Sequence, residues 1–406
     1  MSLVVQKFGG SSLETADKLR SAAERIVAEA EKGNDTVVVV SAQGDRTDEL
    51  IGLAREIDPD PDPRELDMLM AVGEQMSIAL TAIAIHRLGH DAVSLTGAQA
   101  GIRTDATSSK ARIKSVDTSR IRRELDNDRI VIVAGFQGVD RNDNITTLGR
   151  GGSDTTAVAL AVSLGADRCD IFTDVDGIHT GDPRIVSDAR KLDSLDFEEL
   201  LELASMGAGV MHSRAVEIAE RFNQPFRVRP SFKDSEGSLV KNIEEEVEQV
   251  DVRGAALEEN EAKLTVRNVP DRPGIASTIF HRISEHGINV DMIVQNVSEH
   301  GATDLSFTVD RDELPRAVEV LEELSDELDA GAVEADRDIS KLSVVGVGMR
   351  SHHGVAEKMF HALAEDEVNI EMISTSEIKI SCIISAEDGH EALRAVHDAF
   401  ELSEED

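Results

Sequence analysis

The sequence predicts an open α/β sheet with helices on both faces, followed by two small α+β domains. Three observations lead to this prediction. Short apolar runs alternate with amphipathic stretches over roughly the first 230 residues. Polar or glycine-rich turns follow these runs, and a sequence repeat occupies the chain after residue 249. Alternating strands and helices are typical of parallel sheets, which bind ligands beyond the carboxyl ends of their strands.

The first strand is predicted at residues 4–8, where an apolar run ends in two glycines and two serines at 9–12. A helical pattern at 13–32 follows, so the turn combines outward-pointing amides with a helix dipole, and both favour an anion. Lys7 adds a full positive charge. The same residues also suit an ordinary tight turn with an exposed lysine. The other turns of the chain therefore have to decide between a phosphate site and a plain turn.

The elements that follow continue the alternation. Residues 36–41 form a continuous apolar run, which is typical of a strand buried on both faces. Further strands are predicted at 92–95, 130–134, 170–173 and 226–228, and helices at 65–88, 116–126, 197–206 and 212–222, with another that ends at 164. Each polar turn in this region, including the one at 149–154, is predicted to lie at the carboxyl end of a sheet strand.

The repeat consists of two copies of one pattern, which is strand, helix, strand, strand, helix. Lys263 of the first copy matches Lys341 of the second. The first copy also has a closing strand near 332–335, whereas the second copy is one strand short. Residues 250–256 precede the first copy and are predicted to supply the missing strand, so that the first copy is inserted into the second. The predicted domains are residues 1–245, residues 262–338, and residues 249–258 together with 339–406.

The composition is strongly acidic. The 406 residues include 79 Asp and Glu against 42 Lys and Arg, which gives a formal net charge of −37. Because the acidic residues are spread over the whole chain, their mutual repulsion is expected to destabilise the folded state unless salt screens it. The composition therefore predicts a halophilic host with a salt-rich cytoplasm. It also disfavours binding to nucleic acid or to anionic membranes.

Two features predict a cytoplasmic location. The sequence has no N-terminal signal pattern and no apolar run that approaches the roughly 20 residues of a membrane span. Its two cysteines, Cys169 and Cys382, are far apart and lack a pairing motif. This usage suits a reducing compartment.

Two turns and one helix add candidate ligand-binding groups. Arg150 offers a bidentate fork for a carboxylate or phosphate, and Ser153 or Asp154 suits the cap of a helix. Glu74 lies inside an apolar helical stretch, where a carboxylate is unfavourable unless it is paired. Glu74 is either an exposed residue on the polar stripe or a group aimed at the ammonium of a ligand. The sequence contains no Walker motif and no protein-kinase HRD or DFG motif, and it predicts no metal site.

Five motifs, in this order, resemble those of the monofunctional aspartate kinases. They are KFGGSS at 7–12, SAQGDRT at 41–47, GEQMS at 73–77, LGRGGSD at 148–154 and FTDVDGIHTGDPR at 172–184. Together with the repeat, the resemblance covers essentially the whole chain. It implies a three-layer amino-acid-kinase domain followed by two ferredoxin-like ACT regulatory domains.

The resemblance implies transfer of the ATP γ-phosphoryl group to the side-chain carboxylate of L-aspartate. The product is 4-phospho-L-aspartate, the first intermediate towards lysine, threonine and methionine. A carboxylate acceptor is already ionised at neutral pH, so the reaction needs no general base. Because two anions must meet, cations and oriented amides are expected to dominate the site. The implied cofactors are ATP and Mg²⁺, with the metal held mainly through the nucleotide phosphates.

The resemblance also assigns roles to individual residues. Lys7 is implied to contact the transferring phosphoryl group, and Asp154 to orient Lys7 or the substrate ammonium. The implied nucleotide-binding residues are Lys7, Gly9, Gly10, Thr173, Asp174, His179 and Arg184. The implied aspartate-binding residues are Ser41, Thr47, Glu74, Arg150 and Ser153.

Two positions depart from the family pattern. His179 stands where relatives usually have an aromatic residue, often Tyr, and Gly209 stands where they commonly have Lys. Both positions contact nucleotide in relatives, so the departures bear on nucleotide affinity and not on the class of reaction.

The ACT pair implies regulation by an amino acid, lysine or threonine or both, and assembly of a homo-oligomer through these domains. The plain alternative is that the two copies are structural modules. The implied effector-binding residues are Asp271, Gly274, Ile275, Asn289, Met292, Gln295 and Asn296.

Two other functions are consistent with parts of the sequence. Another carboxylate kinase of the same fold, acting on acetylglutamate or glutamate, shares the sheet and the lysine but fits the ACT pair less well. A non-catalytic amino-acid-binding regulator is the second alternative. The presence of Lys7, Arg150 and Asp154 argues against it.

Overall fold

The computed structural model describes residues 2–205, 211–243, 252–295, 301–350 and 354–403. The chain forms two compact units. The described residues of the first lie within Met1–Ile178, Lys191–Ser205 and Gly209–Glu245. Those of the second lie within His179–Arg190 and Glu246–Asp406. Residues 179–190 therefore belong to the second unit, although they lie in sequence among residues of the first.

The first unit is built on an eight-stranded sheet with the order β12-β14-β13-β9-β1-β2-β6-β3. The strands up to residue 245 are β1 Leu3–Phe8, β2 Asp35–Val40, β3 Ala92–Leu95, β4 Ile102–Thr104, β5 Ile113–Val116, β6 Ile130–Ala134, β7 Gln137–Val139, β8 Ile145–Thr147, β9 Arg168–Thr173, β10 Ile178–His179, β11 Lys191–Leu192, β12 Ser194–Leu195, β13 Phe226–Pro230 and β14 Ser238–Val240. The pairs from β13 through β9, β1, β2 and β6 to β3 are parallel, and β13 with β14 is antiparallel. The predicted parallel α/β sheet is confirmed.

Helices cover this sheet. They are α1 Gly10–Leu13, α2 Ala16–Ala30, α3 Arg46–Ile57, α4 Pro63–Met70, α5 Val72–Arg87, α6 Ser119–Leu125, α7 Gly152–Leu164, α8 Phe197–Ser205 and α9 Ser213–Arg221. The helix expected at 65–88 is thus two helices joined at Ala71. Side chains of α2 and α5, including Ile26 and Ile85, pack with Phe8 in one apolar cluster. Successive residues of a strand point to opposite faces, so Lys7 points to the face away from Phe8, and α7 contacts β1.

A second sheet of the first unit was not predicted. It has four strands in the order β5-β4-β7-β8, and each strand has three or four residues. The turn at 149–154 follows β8 of this small sheet. The expectation that every polar turn follows a strand of the main sheet is therefore wrong for this turn. Such short strands lack the apolar run that makes a buried strand recognisable in a sequence.

One helical stretch, Pro63–Arg87, is long and apolar enough to cross a membrane by length and composition. The sequence analysis expected no such stretch. Half of its apolar window is buried within the protein, and Ile78, Ala82 and Ile85 pack in the cluster under the main sheet. Asp67 and Glu74 are also buried in it. These contacts are those of a core helix.

The second unit contains two four-stranded sheets, β17-β18-β16-β19 and β15-β20-β22-β21. Its strands are β15 Gly254–Glu258, β16 Glu261–Pro270, β17 Ile293–Gln295, β18 Ala302–Asp310, β19 Val333–Asp336, β20 Ile339–Val345, β21 Met372–Thr375 and β22 Lys379–Ser385. Its helices are α10 Ile275–Glu285, α11 Leu314–Leu328, α12 Val355–Glu365 and α13 Gly389–Ala399, with two 3-10 helices at Val347–Arg350 and Ala386–Asp388. Strand β15 pairs antiparallel with β20, which belongs to the second copy of the repeat. Residues 250 and 251 of the expected strand lie outside the described residues.

Equivalent residues of the two copies exchange ion pairs within the second unit. Lys341 of the second copy lies 2.5 Å from Asp291 of the first, and Lys263 of the first copy contacts Glu371 of the second. Lys341 also lies 2.8 Å from Glu261. Burial opposes the charged form of Lys341, but Glu261 and Asp291 outweigh it and raise its pKa. Next to these pairs lies a small apolar cluster of Met292, Ile339, Met372 and Ile383.

Candidate active site

Lys7 and Asp154 form the centre of the candidate site. Lys7 lies near the carboxyl end of β1, and Asp154 lies in the first turn of α7. The Lys7 Nζ is 2.6 Å from Asp154 Oδ1, and the two side chains are 11% and 12% exposed. The approach lacks hydrogen-bond geometry, since Asp154 Oδ1 has no hydrogen-bond partner, so the contact is an ion pair. Asp154 thus holds the lysine ammonium at the end of a central strand.

The turn after β1 supplies backbone groups next to Lys7. The Gly9 amide donates to the Phe172 carbonyl at 3.3 Å, which ties this turn to the end of β9. The Gly9 amide is therefore engaged within the protein. Gly10 begins α1, and amides in the first turn of a helix have no acceptor within that helix. The Gly10 carbonyl accepts from the Gly44 amide at 3.1 Å, so the turns after β1 and β2 are joined.

Glu74 is a buried carboxylate that has no cationic partner within the part of the chain that the structure describes. Its Oε1 accepts from the Ala42 amide at 3.0 Å, while Oε2 is buried and has no hydrogen-bond partner. Gly73 permits this contact, because a Cβ at Gly73 would lie 2.7 Å from the Ala42 Cβ. Burial raises the pKa of Glu74 to about 7, and the Ala42 amide opposes this rise. Glu74 therefore points an unused oxygen into the end of the sheet and is not an exposed stripe residue.

The other residues expected to bind aspartate lie on turns and in the first turns of helices. Ser41 follows β2, and its amide donates to the Phe8 carbonyl at 3.1 Å. Thr47 lies in the first turn of α3 and is half-buried. Ser153 is buried beside Asp154 in α7, whereas Arg150 is exposed on the turn before that helix.

Two residues that the sequence analysis missed support the turn at Arg150. The His212 ring packs against Gly151, whose φ is 66° and where a Cβ would lie 2.0 Å from the His212 Cβ. Arg214 donates to the Leu148 carbonyl at 2.5 Å. Burial and Arg214 lower the pKa of His212, and Asp154 opposes them. The segment MHSR at 211–214 carries no signal for these contacts, since they join residues more than 60 positions apart.

The residues expected to bind nucleotide are divided between the two units. Thr173 ends β9, and its hydroxyl donates to Asp174 Oδ1 at 3.0 Å. His179 and Arg184 belong to the second unit, where Arg184 pairs with Asp182 at 2.6 Å. Gly209 lies outside the described residues.

The described residues contain no cluster of three or more His, Cys, Asp or Glu side chains suited to a metal ion. Mg²⁺ commonly binds to protein through one or two carboxylates and otherwise through substrate phosphates and water. This chemistry fits a metal that enters with a nucleotide.

The candidate effector residues surround the start of α10 and the edge strand β17. Gly274 precedes α10 with a φ of 95°. Asp271, Asn289 and Gln295 are exposed, while Ile275 is buried. The Met292 side chain is also buried, in the apolar cluster with Ile339 and Met372. The assignment of Met292 to an effector site stays a prediction, and Asn296 lies outside the described residues.

Comparisons with known protein families divide the chain in the same way. Residues 2–230 match the amino acid kinase family. Residues 264–326 and 342–400 each match an ACT domain. The two ACT matches correspond to the two copies of the repeat.

Known proteins are similar to this chain over its full length. An aspartokinase of Pseudomonas aeruginosa is 51% identical over 404 residues, covering 99% of this chain and 98% of the relative. E. coli aspartokinase III in complex with aspartate and ADP (R-state) superposes with a TM-score of 0.83 at 27% identity, covering 98% and 99% of the two chains. The same enzyme in complex with lysine and aspartate (T-state) has a TM-score of 0.75, also at 27% identity, covering 98% of this chain and 99% of that one. The chain therefore belongs to the amino acid kinase family, as an aspartokinase with two ACT domains.

Proposed function

We propose that this protein transfers the γ-phosphoryl group of ATP to the side-chain carboxylate of L-aspartate and yields 4-phospho-L-aspartate and ADP. One observation carries the proposal. The same end of the sheet holds a lysine with a single counterion, Lys7, and a buried carboxylate with an unused oxygen, Glu74. A substrate that has both an anionic and an ammonium group complements such a pair.

Lys7 acts on the transferring phosphoryl group. Its ammonium lowers the repulsion between the phosphoryl group and the attacking carboxylate, and Asp154 holds it in place. A rigidly held cation does not have to reorganise as charge develops in the transition state. The Gly10 amide adds a second donor beside the phosphate. The Gly9 amide already donates to the Phe172 carbonyl. Gly9 therefore contributes through its lack of a side chain, which lets the phosphate come close to the backbone.

Aspartate binds with its ammonium at Glu74 and its carboxylates at Arg150, Ser153 and Thr47. A cationic ammonium favours the charged form of Glu74, so binding lowers the pKa that burial has raised. Arg150 is exposed before binding and presents a fork suited to a carboxylate. Ser41 lies at the junction between the two substrates.

ATP binds along Thr173 and Asp174 at the end of β9, with His179 and Arg184 on the segment that follows. The nucleotide complex of the E. coli relative supports a nucleotide site in this fold. A Mg²⁺ ion that enters with the nucleotide would neutralise part of the phosphate charge, and would be held mainly by the nucleotide itself. The protein side chains position the nucleotide and the acceptor.

A coupled assay of ADP release tests the proposal directly. Purified protein is supplied with MgATP and with aspartate, glutamate or acetylglutamate in turn, and a steady rate is expected with aspartate. Preference for glutamate or acetylglutamate would instead support another carboxylate kinase. No ADP release with any of the three would support a non-catalytic regulator.

The ACT domains bind an amino-acid effector, and the reaction opens a route to lysine, threonine and methionine. The E. coli relative has been seen with lysine, and exposed polar groups in this chain surround the start of α10. Titrating lysine and threonine against the initial rate identifies the effector. Unchanged rates with both amino acids would contradict feedback regulation by either.

We propose the following domain division, in which residues 179–190 belong to the catalytic domain by sequence although they pack in the second unit. Residues 1–245 form the catalytic domain, and 262–338 form the first ACT domain. Residues 249–258 with 339–406 form the second, which the pairing of β15 with β20 supports.

Each of the two ACT sheets ends in an edge strand with an exposed isoleucine, Ile293 at 52% and Ile373 at 45% exposure. Unpaired edges of this kind favour homo-oligomers, which sedimentation velocity measures.

The protein works in a salt-rich cytoplasm. A formal net charge of −37 requires screening for full stability. Cys169 and Cys382 are free and buried, which is compatible with a reducing compartment.

A further inference from the structure

Residues 179–190 carry two proposed nucleotide contacts, His179 and Arg184, yet they belong to the second unit. Their apolar side chains explain why. Val186 and Ala189 are buried in one cluster with Leu342, Val396 and Leu402 of the second ACT domain. Ala189 also forms a β-bridge with Ser403. The packing of this segment therefore depends on the second ACT domain.

Thr180 is the polar centre of this packing and is completely buried. Its carbonyl accepts from the Ala255 amide of β15 at 2.8 Å, and its amide donates to the Arg190 carbonyl at 2.9 Å. Its hydroxyl donates to the Leu402 carbonyl at 2.8 Å, accepts from the Arg190 amide at 3.0 Å, and lies 2.9 Å from His397 Nε2. Thr180 thus joins both ends of its own segment to β15 and to the C-terminal region.

The hydrogen bonds of the Thr180 hydroxyl determine which nitrogen of the His397 ring carries the proton. A hydroxyl has one proton and two acceptor positions, and the Thr180 proton is directed to Leu402. His397 Nε2 must therefore donate to Thr180, so the proton of the neutral ring is on Nε2. Nδ1 is buried and has no partner, so a second proton there would be an unsatisfied donor. Burial lowers the pKa of His397, which agrees with a neutral ring.

We propose that Thr180 and His397 are positioning residues for nucleotide binding, through which helix α13 of the second ACT domain holds the segment that carries His179 and Arg184. This inference rests on the proposed nucleotide roles of these two residues. The proposed aspartate-binding residues all lie in the first unit. Loosening the Thr180 contacts therefore weakens nucleotide binding and leaves aspartate binding unchanged.

The test compares Thr180→Val with Thr180→Ser in the full-length protein. Valine keeps the shape but leaves three buried groups without their partner, whereas serine keeps the hydroxyl. We expect the dissociation constant for MgADP, measured calorimetrically without aspartate, to rise about tenfold in Thr180→Val. We expect the KM for ATP to rise in parallel, while the KM for aspartate stays within about twofold, and Thr180→Ser to behave like the wild type.

Ser343→Ala is the matched control. Ser343 is buried in β20 of the same domain and bonds to Ser381 at 2.7 Å, and it points to the strand face opposite Leu342 and Val344, which pack with Val186 and Ala189. This variant should keep the wild-type affinity for MgADP. Equal weakening in Ser343→Ala and Thr180→Val would overturn the proposal, because general loosening of the domain would then explain both. Unchanged MgADP affinity in Thr180→Val, or an equal rise of the KM for aspartate, would also overturn it.

Two further measurements test the proposal if one of these variants folds poorly. His397→Gln keeps an N–H near the Nε2 position, whereas His397→Asn does not. MgADP should therefore bind more tightly to His397→Gln than to His397→Asn. Hydrogen exchange of the peptide that spans 179–190 should be faster in Thr180→Val than in Ser343→Ala, and equal rates would contradict the proposal. Wild-type turnover separates this inference from the proposed function. A wild type that releases no ADP with aspartate contradicts the function, whereas an active wild type with an unaffected Thr180→Val contradicts the inference alone.

Discussion

Two buried lysines, Lys7 in the first unit and Lys341 in the second, show how the two units use charge. Lys341 has two carboxylates within ion-pair distance, Glu261 and Asp291. Among the described residues, Lys7 has one, Asp154. Within the part of the chain that the structure describes, both Glu261 and Glu74 have one buried oxygen without a hydrogen-bond partner, but the other oxygen of Glu261 pairs with a lysine whereas that of Glu74 accepts only from a backbone amide. Lys341 is therefore compensated within the fold, whereas Lys7 leaves capacity for a ligand anion and Glu74 for a ligand cation.

Replacing Lys7 tests the first half of this comparison and should have the largest effect. Lys7→Met should lower kcat by about 10³-fold or more, because removing one preorganised charge from the transition state has effects of this size. The variant should also lose some stability, because Asp154 Oδ1 is buried and is left without its cation, so turnover is compared per amount of folded protein. Retained turnover, measured by coupled ADP release, would show that Lys7 is not the phosphoryl contact.

Replacing Lys341 tests the second half. Lys341→Met leaves Glu261 as a buried charge without its cation and should lower the free energy of unfolding by about 3–5 kcal/mol. The intrinsic turnover of the folded fraction should be kept. Adding Glu261→Leu should restore most of the stability, because an apolar pair can replace a buried ion pair. A single variant as stable as the wild type would show that the pair contributes no net stability.

Glu74→Gln separates stability from function. The pKa of Glu74 is raised from 4.5 to about 7, so between these pH values the folded protein retains a proton that the unfolded chain releases. The wild type therefore loses roughly 3 kcal/mol of stability as the pH rises through this range. Glu74→Gln should lack this loss and be more stable at pH 8.

The same variant should bind aspartate less well. The KM for aspartate should rise about 10- to 100-fold at pH 8, because glutamine offers no negative charge to an ammonium. In the wild type this KM should fall as the pH rises through about 7. An unchanged KM in Glu74→Gln would show that the carboxylate does not face the ammonium.

Salt should change the free energy of unfolding least for each single charge, but it acts on many charges at once. Exposed like-charge pairs repel by roughly 0.2–0.5 kcal/mol each, and KCl screens them. The unfolding midpoint in urea should therefore rise from low to molar KCl. The stability difference between the wild type and Lys341→Met should hardly change, because a buried pair is screened little. Equal wild-type stability at low and molar KCl would contradict adaptation to salt.

The sequence predicted those features that depend on residues close to one another in the chain or on a repeated pattern. The run at 36–41 identified a buried strand, which is observed at Asp35–Val40, and the repeat identified two similar domains. It did not predict the small sheet, whose strands have three or four residues. It left Glu74 between two interpretations, because the choice depends on the approach of Ala42 from another loop.

The membership of residues 179–190 in the second unit was equally hidden from the sequence. One of the contacts behind it joins Thr180 and His397 across 217 positions. Contacts of this kind depend on the complete tertiary structure, and neither periodicity nor turn residues record them. The same holds for His212 and Arg214, which support the turn at Arg150 from a distant helix.

The pairing of β15 with β20 also bears on how the chain folds during synthesis. The first ACT domain can fold as soon as residue 336 has left the ribosome, since its strands run from Glu261 to Asp336. Strand β15 is made earlier but must wait for β20, and Thr180 must wait for His397. Domains tend to fold in the order in which they emerge. By this order residues 179–190 of a nascent chain complete their packing last, so the proposed nucleotide contacts at His179 and Arg184 would form only after the regulatory domain is complete.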